Sequence, residues 1–351
     1  MPENNVNRPT LNDRAGHPAT PDSGKRGPGW IKWFRWVIAI AVGVALVWMI
    51  WKSASQLREE KFDFRQVQYA WWFAALLCYS GTMQLSCHFW VTVLRALGQR
   101  PNYGRAMTAF FASQLGKYIP GKAMVVVMRT DLIRGPEVNA SVAAASVFVE
   151  TLTWIFIGST IASLIFVFNF RGQTTLQLTA AVMALVAGIL TWPNIFRAIA
   201  GLIVKRKSSK SSSKSPAASS SASDPSSIDL SGLNLKTMSF GWAIMTVGWL
   251  LNGFSLWFVL RGLPGTEIGG ADYVLVLACV SLATVAGFVS LLPGGLGVRE
   301  LVMLPLLAPR FGEPTALIAA VMIRIVWLAS ELLMSAIMGG MLKRFVGSKE
   351  D

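Results

Sequence analysis

The feature that most constrains the fold of this chain is a series of long apolar runs. Runs of about 20 residues with few or no charges lie around 36–51, 70–94, 138–170, 174–196, 238–260, 272–292 and 314–342, and a helix of that length crosses the hydrocarbon core of a bilayer. Hydrophobic residues make up 53% of the 351 residues and charged residues only 14%, a balance atypical of soluble domains. The short alternating segments of a membrane β-barrel are absent. We predict an all-α polytopic membrane protein built as a helical bundle.

The net charge of +14 follows the membrane topology rather than forming a nucleic-acid-binding face. Lys25, Arg26, Lys32 and Arg35 precede or open the first run, and basic residues also follow the last run. Because basic residues concentrate on the cytoplasmic side of membrane proteins, we expect both termini to be cytoplasmic. We expect no nucleic-acid partner.

Composition divides the chain into five segments. We predict a disordered cytoplasmic tail, a first membrane half, a Ser/Lys-rich cytoplasmic linker, a second membrane half and a short C-terminal tail. In that order the segments are residues 1–29, 30–204, 205–236, 237–345 and 346–351.

Two Pro-Gly breaks interrupt the membrane halves. The sequence GKYIPGK (116–122) splits 106–134 into two apolar arms of little more than ten residues, each too short to span comfortably. The sequence SLLPGGLGVRE (290–300) breaks 272–310 in a similar way. We predict two re-entrant hairpins that each enter and leave the membrane on one side. For the second, the run 272–292 is also long enough to cross fully, and that alternative stays open.

The two hairpins indicate an internal repeat. A shift of 173 residues places Pro120-Gly121 on Pro293-Gly294 and the apolar run from Ala140 on the run from Glu313. Three predicted crossings separate the hairpins, so they would enter from opposite faces. That is the plan of an inverted-topology repeat, in which broken helices meet near the bilayer midplane and bind the transported species.

Charges inside apolar runs are costly and usually face a cavity or a partner. We interpret those near the two breaks as an anion site, because the glycines permit close backbone approach and the following helix start presents free N–H groups. Arg299 and Lys122 would hold phosphate, while Glu150 and Glu300 would orient cations or the head group. In the alternative interpretation, the charges after the second break and in the last run only pair with each other to hold helices together. The predicted substrate-binding residues are Lys117, Lys122, Arg129, Glu150, Pro293, Gly294, Gly295, Gly297, Arg299, Glu300, Arg324 and Glu331.

Catalytic and cofactor motifs are absent from the sequence. It has no GxxxxGK[ST], GxSxG or HExxH pattern, and its two histidines and three cysteines lie apart. We therefore expect no cofactor, no metal site and no enzymatic activity. Two other functions stay open: an accessory subunit that scaffolds envelope-lipid or glycan synthesis, and an integral membrane transferase acting on a lipid-phosphate donor.

The sequences QLGKYIPGKAMVVVMR (114–129) and SLLPGGLGVRE resemble the lysylphosphatidylglycerol synthase transmembrane-region family over about 35–345. This is the flippase-like membrane part of the bacterial multiple peptide resistance factor, which also occurs as stand-alone proteins. The resemblance implies a multi-pass protein of the bacterial cytoplasmic membrane with re-entrant elements. For the best-known members it further implies translocation of aminoacylated phosphatidylglycerol between leaflets. For this chain we expect a flippase or translocator of an anionic phospholipid or lipid-linked substrate, with an envelope-lipid synthase or a glycosyltransferase as a partner.

Two departures from that family bear on the substrate. Many members carry an acid followed by arginine in the span after the first motif, where this chain has Glu150-Thr151. No aminoacyl-transferase domain follows the last apolar run, so we do not expect the chain to synthesise lysyl lipid itself. The resemblance therefore leaves the identity of the lipid open.

Overall fold

A computed structural model describes most of the chain from residue 63 onward. The described residues are 63–118, 123–169, 174–191, 194–195, 232–290, 292–295 and 297–347, together with Val44, Val47, Trp51 and Ser55. The predicted tail 1–29 and nearly all of the first apolar run and the Ser/Lys-rich linker lie outside these residues. So does Lys122, one of the predicted phosphate ligands.

Among the described residues of 63–191 and 232–347 the chain forms nine α-helices and no strand, as the apolar runs predict. Two of them, α5 and α7, have 18 and 17 residues. The helices are α1 (Tyr69–Ala96), α2 (Tyr103–Gln114), α3 (Ala123–Ile133), α4 (Ala140–Asn169), α5 (Thr174–Thr191), α6 (Leu235–Arg261), α7 (Tyr273–Val289), α8 (Val298–Phe311) and α9 (Glu313–Gly347).

Three of these helices are long and apolar enough to cross a membrane: α4, α6 and α9. This criterion concerns length and composition alone, within the described residues. The run 70–94 is helical as α1 and the run 174–196 is helical as α5 as far as Thr191, and their crossing of the bilayer stays a prediction. The fold is thus all-helical with candidate membrane spans.

Two broken hairpins repeat one order of elements. In the first hairpin, α2 leads through a 3₁₀ turn at Leu115–Tyr118, the first tip, into α3. In the second hairpin, α7 leads through a 3₁₀ turn at Pro293–Gly295, the second tip, into α8. A long helix follows each hairpin, and these two helices begin at Ala140 and Glu313, the two positions that the 173-residue shift superimposes.

An arginine joins the two ends of each hairpin that lie away from its tip. In the first hairpin, Arg105 donates to the carbonyl oxygens of Leu132 (3.1 Å) and Arg134 (2.8 Å). In the second, Arg310 donates from Nε and Nη2 to the carboxylate of Asp272, at 2.7 and 3.1 Å. These contacts hold together the two ends of each hairpin that lie away from its tip, which are its open end.

The bundle closes around the tips through a close approach of α1 and α6. Ser255 donates to the carbonyl oxygen of Ala75 at 2.9 Å, and Thr82 donates to the carbonyl oxygen of Gly248 at 2.9 Å. Small and hydroxyl-bearing residues permit such approach between membrane helices. Helix α9 packs against α1, α2 and α8 and so contacts both hairpins, while the first tip packs directly against the second.

Candidate functional site

The second tip has a backbone that only glycine accommodates easily. Gly294, Gly295 and Gly297 have φ angles of 58°, 67° and 83°, in the left-handed region that L side chains rarely adopt. A Cβ atom on Gly295 would lie 2.9 Å from the Cα of Gly287 in α7, and one on Gly294 would lie 3.1 Å from the ring of Tyr118. The glycines therefore let the second tip contact both α7 and the first tip.

A cavity of about 470 Å³ adjoins the two tips. Residues from α1, both hairpins, α4, α6 and α9 line it, and most of them are apolar or aromatic. Its charged lining within the described residues consists of Lys117, Arg129, Glu150 and Arg299. A mostly apolar cavity with a few convergent charges is typical of a ligand-binding site.

Glu331 of α9 is fully buried beside this cavity. It forms an ion pair with Lys117 of the first tip and accepts hydrogen bonds from the hydroxyls of Tyr79 (2.6 Å) and Tyr118 (3.1 Å). Three donors from two elements thus satisfy one carboxylate. An unpaired charge is costly in a membrane. This network therefore stabilises the packing of α9 against the first tip and α1.

A second ion pair joins α9 to the second tip. Arg324 binds Glu300 of α8 at 2.6 Å and donates to the carbonyl oxygen of Gly295 at 2.9 Å. Arg324 and Glu331 share a helix face, as their seven-residue spacing predicts. One face of α9 therefore holds both tips, each through a charged group.

A third ion pair joins the first hairpin to α4 in the lining of the cavity. Arg129 of α3 binds Glu150 of α4 at 3.0 Å and donates from Nε to the hydroxyl of Ser113 at 2.9 Å. Its guanidinium also lies 4.2 Å from the ring centroid of Phe110 and 5.1 Å from that of Trp90. The carboxylate of Glu150 is therefore already neutralised where it lines the cavity.

Arg299, at the first turn of α8, differs from these cations. Its side chain lies against Gly287, with the guanidinium carbon 5.0 Å from the ring centroid of Trp327. It forms no ion pair with the described residues, and its Nε is buried without a hydrogen-bond acceptor among them. It is thus a cavity-lining cation whose charge no described carboxylate pairs with directly.

Two uncharged polar side chains also line the cavity without partners among the described residues. They are Asn252 of α6, 1% exposed and with a free Oδ1, and Thr284 of α7, 9% exposed and with a free Oγ1. Buried polar atoms in native proteins are usually hydrogen-bonded. Neither residue was predicted from the sequence as a substrate-binding residue, although an amide in the middle of an apolar helix is a signal that could have indicated Asn252.

The structure thus brings most of the predicted site residues to the tips and separates them by role. Lys117, Arg129, Glu150, Gly294, Gly295 and Arg299 line the cavity, whereas Glu300, Arg324 and Glu331 form ion pairs next to it. Pro293 begins the second tip, and Gly297 is the N-cap of α8. The tyrosines of the Glu331 network were not predicted. Among the described residues, no group of three His, Cys, Asp or Glu side chains is placed to bind a metal ion.

Asp272 and Arg310 form an ion pair at the end of the second hairpin that lies away from its tip. Burial raises the pKa of Asp272, but hydrogen bonds from Arg310 and from the N–H of Gly269 outweigh burial and leave the pKa below its ordinary value of 3.8. The carboxylate is therefore ionised over the whole physiological pH range.

No curated protein matches the chain. The family described as "Lysylphosphatidylglycerol synthase TM region" matches residues 36–333, nearly the whole chain and both hairpins. Together with the helices of membrane-spanning length, this match makes the chain a membrane protein that belongs to the lysylphosphatidylglycerol synthase transmembrane-region family.

Proposed function

We propose that this protein moves a phosphate-bearing lipid between the two leaflets of the bacterial cytoplasmic membrane. The observation that carries the proposal is Arg299, a cation without an ion-pair partner among the described residues, in a largely apolar cavity where the two tips meet. A charge in that position is costly unless an anion joins it. Family membership supports a lipid-related function in general.

The phosphate would bind next to the second tip. Arg299 lies in the first turn of α8, whose N-cap Gly297 provides no side-chain hydrogen bond, so the first N–H groups and the helix dipole favour an anion there. Lys117 lines the same cavity from the first tip. Both tips would then contact one head group, which would couple its binding to their relative position.

The acyl chains would stay at the rim of the cavity. Phe148 and Leu292 line the cavity and also expose 53% and 45% of their surface. An apolar rim lets a polar head group enter while its hydrocarbon chains remain in the bilayer. This division of polar and apolar contacts fits a lipid better than a water-soluble anion.

We further propose that both hairpins re-enter the membrane and form an inverted repeat. At 1.5 Å per residue, the 17 residues of α7 span about 26 Å, less than the roughly 30 Å of the hydrocarbon core. The 12 residues of α2 and the 11 of α3 span about 18 and 17 Å. The tips would meet near the midplane from opposite faces, with both termini cytoplasmic, and rocking of one half against the other would give alternating access.

Reconstitution tests the proposal. Proteoliposomes with a fluorescent anionic phospholipid, labelled on an acyl chain, should exchange it between leaflets faster than empty vesicles. Arg299→Ala should abolish the acceleration, whereas Arg95→Ala should preserve it, because Arg95 is an exposed cation at the end of α1 outside the cavity.

Leaflet exchange no faster than in empty vesicles would overturn the proposal. So would acceleration that Arg299→Ala leaves unchanged. A scaffold subunit would instead tolerate paired neutral replacement of Glu300 and Arg324 while an envelope-lipid synthase or glycosyltransferase co-purifies with it.

A further inference from the structure

We infer that the head group is an uncharged polyol joined to the lipid through a phosphodiester, with one negative charge and no amine. The inference rests on the proposed function and specifies which lipid the same cavity selects. It follows from the pairing of the charges and from the unpartnered polar atoms around the cavity.

Most of the charges of the described lining residues are paired. Arg129 is neutralised by Glu150, and Lys117 is neutralised by Glu331 directly behind it. Among the described lining residues, Arg299 then leaves a single positive charge without a carboxylate partner. In a low-dielectric site one anion of charge −1 complements it, as a phosphodiester does, whereas a phosphomonoester carries about −1.5 to −2 near neutral pH.

The described lining offers no free acid to an amine on the head group. A buried ammonium group needs a carboxylate partner, and Glu150 is the one acid among the described lining residues. Arg129 already binds that carboxylate, and two aromatic rings hold Arg129 in place. Glu300 is not among the lining residues; its Oε1 binds Arg324, and its Oε2 is buried without a partner among the described residues. An ethanolamine or lysyl amine would therefore meet cations rather than a free acid.

Two unpartnered polar atoms beside the cavity favour hydroxyl groups on the head group. Oδ1 of Asn252 accepts hydrogen bonds only, and the hydroxyl of Thr284 both donates and accepts. Both atoms are buried and unpartnered among the described residues, and both side chains line the cavity. A polyol such as glycerol offers donors and acceptors to both of them, while the guanidinium group of Arg299 would donate to a phosphate oxygen. An uncharged head group without hydroxyls would leave both side chains unsatisfied.

Leaflet exchange of acyl-labelled lipids tests the charge. Phosphatidylglycerol and phosphatidylinositol should be translocated at least about tenfold faster than phosphatidylethanolamine, phosphatidic acid and lysylphosphatidylglycerol, because one unmatched polar or charged contact costs about 1.4 kcal/mol or more. The two polyol lipids distinguish glycerol from a larger ring. Equal or faster exchange of an amine-bearing lipid or of phosphatidic acid would overturn the inference and leave the proposed function standing. Exchange of no lipid would overturn the proposed function itself.

Phosphatidylmethanol tests the hydroxyl contacts, since it has the same phosphodiester charge and no head-group hydroxyl. The wild-type protein should translocate phosphatidylglycerol several-fold faster than phosphatidylmethanol. The near-isosteric double variant Asn252→Leu/Thr284→Val should lose that difference, whereas Arg95→Ala, outside the cavity, should keep it. Circular dichroism of the purified double variant checks that it is folded. A difference that survives in the double variant would contradict the polyol contacts. A variant that fails to fold would be replaced by Thr284→Val alone, with the same two lipids and the same criterion.

Discussion

At the residue scale, the Lys117–Glu331 ion pair makes stability depend on matched charges. Lys117→Met should lower the melting temperature in detergent strongly, because it leaves the fully buried Glu331 without a cation; loss of one partner from a buried pair typically costs about 3–5 kcal/mol. Adding Glu331→Gln should restore most of the loss, since the amide oxygen can still accept from Tyr79 while the amide NH2 donates to the hydroxyl oxygen of Tyr118. Differential scanning fluorimetry of the two variants checks this.

The exposed Asp131–Arg134 pair provides the matched control for that cycle. Arg134→Met should change the melting temperature little, because both side chains are solvent-accessible and such pairs contribute about 0–1 kcal/mol. If Lys117→Met were as mild as Arg134→Met, Glu331 would not depend on Lys117 for its charge balance.

The sequence indicates which residues are charged inside the bundle, but not which of them pair. The spacing of Arg324 and Glu331 predicts one shared helix face, and the structure places both toward the tips. The partner of Glu331 is 214 residues away in the chain. No local pattern encodes such a contact, because it depends on how two hairpins pack. For the same reason the Arg129–Glu150 pair could not be predicted from the residues alone, whereas the Glu300–Arg324 pair agrees with the alternative in which charges after the second break pair with those of the last run.

At the element scale, the second tip depends on close packing against α7. Gly295→Ala should lower both the melting temperature and lipid exchange, because a left-handed alanine costs about 1–2 kcal/mol and its Cβ would also lie 2.9 Å from the backbone of Gly287. Gly265→Ala is the matched control, with the same φ of 67° and open space around its Cβ. Equal losses in the two variants would show that backbone strain alone, and not the tip contact, accounts for the effect.

The Asp272–Arg310 pair closes the second hairpin in a pH-dependent manner. A carboxylate whose pKa is lowered by folding stabilises the protein above its unfolded pKa, and this stabilisation disappears as the pH falls through the folded pKa. Asp272→Asn should therefore melt a few degrees below the wild type at neutral pH, and the difference should shrink below about pH 4. Melting curves across that range measure it; a difference that does not vary with pH would contradict a charge-based role.

The sequence predicts the elements of the hairpins well because arm length and helix breakers are local properties. The predicted 106–134 and 272–310 correspond to helix pairs at Tyr103–Ile133 and Tyr273–Phe311. The long run 272–292 forms helix α7, which ends at Val289 and leads through the second tip into α8, and its re-entry from one side stays a prediction. Three left-handed glycines shape the second tip and the start of α8, and their φ angles depend on tertiary contacts that the sequence does not display.

At the scale of the whole molecule, the repeated order of elements makes a topological prediction. If the hairpins enter from opposite faces, their open ends lie on opposite sides of the membrane. Arg100 precedes α2 and Glu267 precedes α7, and both side chains are exposed. In a background with Cys78, Cys87 and Cys279 replaced by serine or alanine, Arg100→Cys and Glu267→Cys place one thiol at each open end.

A membrane-impermeant thiol reagent then separates the two arrangements. Glu267→Cys should react in spheroplasts. Arg100→Cys should react only in inside-out vesicles, because positive charge keeps the 95–105 loop cytoplasmic. Labelling of both thiols from one side would eliminate the inverted repeat and, with it, the meeting of the tips from opposite leaflets. Lipid exchange measured on the same two variants would show that each is folded, so the labelling pattern reports topology in a protein that still works.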